Sequence, residues 1–144
     1  MRIDGLWQRD SDQPEIMRPI IPAKLLVHDQ ELPLTLLVDT GADQTVLGAA
    51  FAGLLSDAQQ ESTDALLSAG GQVACFLATV RLELRDANNR PVRFSTTCAI
   101  LTDPVQRNEH LLGRDILDYF VLICDRENNS VTLLRPPHSY SIHA

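Results

Sequence analysis

The stretch Leu32-Pro33-Leu34-Thr35-Leu36-Leu37-Val38-Asp39-Thr40-Gly41-Ala42-Asp43-Gln44-Thr45-Val46-Leu47 decides how this chain is read. Leu32 to Val38 is a nearly continuous apolar run with β-branched Thr35 and Val38. It is interrupted early by Pro33 and is short for a helix, so it reads as a buried strand. It runs straight into Asp39-Thr40-Gly41. Burial disfavours an ionised carboxylate, so an Asp at the end of such a strand must be held by partners or used in chemistry. Gly41 allows a sharp backbone turn just after it. The local pattern leaves both readings open, a hydrogen-bonded structural turn and a functional acid. Thr45 to Leu47 reads as a further short strand.

On either side, strands and turns alternate. Ile20, Ile21, Leu25, Leu26 and Val27 suggest a strand before the turn His28-Asp29-Gln30. Ala49 to Leu55 is a short stretch of helical composition. Val80, Leu82 and Leu84 alternate with Arg81, Glu83 and Arg85, the period of a half-exposed strand. Asn88-Asn89 is a turn signal, and Val92 to Leu101 returns as the partner of a hairpin. After the break at Asp103-Pro104, Ile116, Leu117 and Phe120 are spaced for one face of a short helix. Val121 to Cys124 and Val131 to Leu134 read as strands around the turn Asn128-Asn129. Residues 1–15 are polar, are broken by Pro14, and read as an N-terminal arm, with Trp7 either docked on a neighbouring surface or exposed. The domain then spans 16–136 and a polar tail 137–144. Many short strands and little helix mean an all-β barrel or sandwich.

Composition narrows the function. A chain of 144 residues is the size of one domain and buries enough surface to fold without metal or disulfide. A formal net charge of −7 argues against nucleic acid as the main partner, since phosphate binding needs clustered Lys and Arg. Cys75, Cys98 and Cys124 are far apart and odd in number, with no Cys-x-x-Cys, so free buried thiols are expected. His28, His110, His138 and His143 are scattered, so no metal is expected, and nothing in the sequence calls for a cofactor. There is no Gly-x-Ser-x-Gly elbow and no phosphate loop. With neither a signal peptide nor a long apolar span, the expectation is a cytoplasmic protein with no membrane partner.

The segment Asp39-Thr40-Gly41-Ala42-Asp43-Gln44-Thr45-Val46-Leu47 resembles the active-site loop of the retropepsin-like, retroviral-type aspartic proteases. Leu111-Leu112-Gly113-Arg114-Asp115-Ile116-Leu117 resembles the segment that precedes their single helix. Ser68-Ala69-Gly70-Gly71-Gln72 sits where their glycine-rich flap tip belongs. The resemblance covers roughly Ile16 to Arg135. It implies a closed six-stranded acid protease barrel, a single domain with one short C-terminal helix. It implies that Asp39, Thr40 and Gly41 form the catalytic triplet. By the same resemblance Ala42, Asp43, Ala69, Gly70 and Gly71 would contact substrate, with Val46, Leu47 and the 101–106 loop as pocket walls. Gly113 would pack under the loop, and Arg114 would pair with Asp43 or help lock the dimer.

The implied activity is peptide hydrolysis by two carboxylates that share one proton. Asp-Thr-Gly occurs once in this chain, so a homodimer would supply the second carboxylate. The chain runs on past the helix, and the hairpin Val121–Leu134 would take over the interface that the chain ends form in retroviral members, as in cellular retropepsin-like proteins. Two rival readings use the same fold. One is a dimeric peptide-binding or scaffolding module without chemistry. The other is a latent enzyme with residues 1–14 lying over the cleft.

Overall fold

The computed structural model describes residues 1–60, 66–68, 71–104, 109–139 and 141. Its strands are β1 (Arg2–Arg9), β2 (Met17–Val27), β3 (Gln30–Val38), β4 (Val46–Leu47), β5 (Leu66–Ser68), β6 (Gly71–Val73), β7 (Cys75–Arg85), β8 (Pro91–Leu101), β9 (His110–Leu112), β10 (Val121–Asp125) and β11 (Ser130–Leu134). The α-helices are α1 (Ala52–Leu55) and α2 (Arg114–Leu117), one turn each, with short 3-10 turns on both sides of α1. The fold is therefore all-β.

Six strands close a barrel. In order around it, β2 pairs with β3, β3 with β9, β9 with β4, β4 with β8, β8 with β7, and β7 returns to β2. The two-residue period of the sequence explains which side faces in. Ile21, Ala23, Leu25 and Val27 of β2, Leu34, Leu36 and Val38 of β3, and Phe76, Ala78, Val80, Leu82 and Leu84 of β7 all enter one core. Each large aliphatic side chain so buried contributes about 1.5–3 kcal/mol. Glu83 breaks the alternation, buried between Leu82 and Leu84. Its carboxylate is held by Arg93 directly across the hairpin at 2.8 Å and by Arg85 at 2.7 Å. The Arg93 hydrogen bond, aided by the charges of Arg85, Arg93 and Lys24, keeps Glu83 below the usual carboxylate range against the cost of burial.

The N-terminus corrects the reading of residues 1–15 as an arm outside the core. Arg2–Gly5 pair with β11 and Leu6–Arg9 pair with β2, so β1 joins the barrel to the hairpin β10–β11. Ile3 is fully buried. Gly5 stands at the changeover, where a Cβ would run into the backbone carbonyl of Ile20. Trp7 docks rather than dangles: its indole N–H donates to the Asp125 carbonyl at 3.1 Å, and the Arg126 guanidinium lies 5.7 Å from its ring centroid. Arg2–Arg9 are thus an integral strand of the fold. Cys75 and Cys98 are buried and form no disulfide, but Cys124 is exposed, which corrects the expectation for that residue. No helix among the described residues is long and apolar enough to cross a membrane.

Candidate active site

β3 delivers Asp39 to the rim of the barrel. Val38 is still in the core, Asp39 is half-buried, and Thr40 and Gly41 are exposed. The carboxylate does not hang free: its Oδ1 accepts the Gly41 N–H at 2.9 Å, and the Ala42 N–H returns to the Asp39 carbonyl at 3.3 Å. This small turn fixes one carboxylate oxygen, and the other has no hydrogen-bond partner among the described residues.

The loop that follows is zipped along the segment Leu112–Asp115. Asp39 N–H donates to the Leu112 carbonyl at 3.1 Å, Arg114 N–H to the Ala42 carbonyl at 2.8 Å, and Asp115 N–H to the Asp43 carbonyl at 3.2 Å. Arg114 Nη2 also donates to Asp43 Oδ1 at 2.7 Å. That pair is exposed, with side-chain exposures of 52% and 86%, so it orients Asp43 more than it stabilises the fold. Gly113 lies under the loop: a Cβ there would sit 2.5 Å from the Gln44 carbonyl oxygen and 2.7 Å from Thr45 N. Asp39, Thr40, Gly41, Ala42, Asp43, Gly113 and Arg114 thus form one assembly.

Of the glycine-rich stretch, Gly71 is described. It has a φ of +108°, a conformation only glycine adopts freely, and it pairs with Ser68 to end the β5–β6 hairpin. Ala69 and Gly70 lie outside the described residues. Of the expected pocket walls, Leu47 is buried in the barrel core, which removes it from a wall, and Val46 belongs to a small cluster with Cys75, Ala99 and Leu101. Thr35 and Leu37, which face away from the core on the strand that ends at Asp39, line a groove of about 380 Å³ with Gln8, Arg9, Arg18 and Glu109. Arg18 bridges Asp10 and Glu109 there. This groove, whose lining includes no residue of the Asp39–Asp43 loop, was not anticipated from the sequence.

Three further residues at the site were also missed. Thr45 is completely buried, a hydroxyl between polar Asp43-Gln44 and apolar Val46-Leu47. Asp115, adjacent to Arg114 in sequence, accepts from Thr45 N at 2.9 Å and from Thr45 Oγ1 at 2.7 Å. His110, at the start of β9, accepts the Gly48 N–H on Nδ1 at 2.9 Å, and burial pushes its pKa down. The first two stand inside the very segments that mark the site, and their polarity next to apolar neighbours was the available signal.

Comparison with known proteins gives a consistent picture. The sequence model of the family described as retroviral aspartyl protease matches residues 15–122. A crystal structure of a retropepsin-like aspartic protease from Rickettsia conorii superposes with a TM-score of 0.60 at 20% identity, covering 92% of this chain and 89% of that one. An EIAV protease in complex with an inhibitor aligns with a TM-score of 0.47 at 25% identity, covering 70% of this chain and 86% of the other. No curated protein matches.

Proposed function

Because the chain belongs to the retroviral aspartyl protease family, we propose that it is an aspartic endopeptidase whose working unit is a homodimer, with one Asp39 from each subunit. The observation that carries this reading is the state of Asp39. It stands at the end of a core strand with Oδ1 fixed by Gly41 N–H and, among the described residues, no hydrogen-bond partner for its other oxygen. The triplet Asp-Thr-Gly occurs once, so one chain holds half of a dyad.

Two such carboxylates brought together on a two-fold axis share one proton, because adjacent like charges cannot both ionise cheaply. The ionised member takes a proton from a water molecule, whose oxygen attacks the scissile carbonyl carbon. The protonated member donates to the carbonyl oxygen. The resulting tetrahedral adduct collapses with proton transfer to the leaving amine. Thr40 would meet its twin across the axis, and Asp43, oriented by Arg114, would bind substrate main chain. The β5–β6 hairpin, closed by the Ser68–Gly71 pair, would act as the flap over an extended peptide, with Ala69, Gly70 and Gly71 contacting substrate. The hairpin β10–β11 offers the second chain a place to add. The outer edge of β10 has no strand partner among the described residues, and Val121 and Ile123 on it are only half-buried.

The test is cleavage of a mixed peptide library across about pH 4–8 by wild type and Asp39→Asn, the range in which a shared-proton pair changes state. Turnover by wild type alone supports the proposal. A folded dimer that binds peptides without cutting them overturns the enzymatic part and leaves a binding module.

A further inference from the structure

The Asp39 loop is held by a carboxylate that takes no part in the chemistry. Asp115 Oδ1 accepts two hydrogen bonds from Thr45, one from its backbone N–H at 2.9 Å and one from its hydroxyl at 2.7 Å. Its Oδ2 accepts from the Thr96 hydroxyl of β8 at 3.0 Å. The Thr45 hydroxyl, having given its proton to Asp115, accepts the Gly113 N–H at 3.1 Å. The Thr45 carbonyl takes the Ala99 N–H at 3.1 Å. Every polar group of this fully buried threonine is thus satisfied, three of its bonds by the segment Gly113–Asp115 and one by β8.

We propose that Asp115 is a positioning residue of this site: through Thr45 it locks the loop bearing Asp39 to Gly113 on one side and to the barrel strand β8 on the other. The proposal rests on the proteolytic reading above for its catalytic consequence, not for its geometry. Three accepted hydrogen bonds suit a carboxylate, which has only acceptors to offer. They also suit an asparagine turned with its carbonyl toward Thr45 and its amide toward the Thr96 oxygen. They do not suit alanine, which leaves two buried donors of Thr45 without acceptors. The loop's other side-chain ties at this end are Gln44 Nε2 donating to the Thr97 carbonyl of β8 at 2.7 Å and the solvent-exposed pair Arg114–Asp43. Near-attack geometry is lost by displacements of about 1 Å, so slack at Thr45 reaches Asp39 as lost rate.

The experiment compares Asp115→Asn, Asp115→Ala and Thr96→Val in two measurements, peptide turnover and backbone amide exchange. Asp115→Ala is expected to lower kcat by about 10–100-fold with little change in KM. Amide exchange at Thr45, Gly113 and Ala42 speeds up in the same variant, while the β2–β7 amides stay as protected as in wild type. Asp115→Asn restores both. Thr96→Val gives an intermediate loss, and it carries the test if Asp115→Ala does not fold. Wild-type exchange at Thr45 and Gly113 in both Thr96→Val and Asp115→Ala overturns the proposal. So does a fall in stability with kcat unchanged, or an Asp115→Asn variant as damaged as the alanine. If wild type cuts no peptide, the proteolytic reading fails, and the exchange data alone decide the brace.

Discussion

The imidazole of His110 and the backbone of Gly48 are joined by one hydrogen bond, Gly48 N–H to His110 Nδ1 at 2.9 Å, with the ring also packed against Phe51 at a centroid separation of 5.0 Å. An accepting Nδ1 is an unprotonated Nδ1, so the bond exists only with neutral histidine. Burial works in the same direction, holding the His110 pKa below its ordinary value. In the folded state the neutral form is favoured, and at acidic pH the unfolded chain binds the extra proton. Stability contributed here is complete above the ordinary histidine pKa and is lost as pH falls through the lowered folded value. Glu109 beside it and Arg9 and Arg18 across the groove are the charged neighbours, and they carry both signs. Denaturant unfolding at about pH 8 and about pH 5 is expected to show His110→Asn losing less stability on acidification than wild type. An amide oxygen at that position accepts from Gly48 without titrating. Equal pH slopes for the two proteins would disprove the coupling.

Asp39→Asn is expected to reduce peptide turnover by at least about 10²–10⁴-fold, the usual contribution of a general acid–base group. The variant should remain dimeric, because the Asn side-chain oxygen can still accept the Gly41 N–H that Asp39 accepts now. Sedimentation alongside the assay checks both halves. A monomeric variant would mean that the charge, not the fold, holds the subunits together.

Gly113→Ala is expected to cost about 1–3 kcal/mol of stability, in the range of core overpacking. The clash is with backbone, the Gln44 carbonyl and Thr45 N, so no side chain can swing aside to relieve it. The measurement is thermal or denaturant unfolding, with Gly53→Ala as control, where a Cβ meets nothing within 4 Å.

Ile123→Lys is expected to weaken the dimer by tenfold or more, about 1.4 kcal/mol per factor of ten, while leaving the barrel intact. Ile123 is half-buried on the outermost strand and is absent from the core clusters. Concentration-dependent sedimentation reads the effect. An unchanged dimer constant would place the subunit interface away from β10.

Much of this protein is written locally. The alternation along Val80–Leu84, the turns at Asn89 and Asn129 with their φ of 61° and 52°, and the apolar strand feeding Asp39 could each be read from a few adjacent residues, because period and turn chemistry are short-range properties. The words around Asp39 and Arg114 marked the two segments that the fold zips together. What the sequence alone left undetermined depends on partners distant in the chain. Arg2–Arg9 look like a polar arm because only Ile3, Leu6 and Trp7 are large and apolar. They become a strand because Arg2 meets Leu134 and Leu6 meets Ile20. Thr45 and Asp115 are ordinary polar residues until the fold closes the 70 positions between them and buries the Thr45 end of their hydrogen bonds. Strand pairing and buried polar networks draw their free energy from such distant groups, so the tertiary structure alone decides which residues support the Asp39 loop.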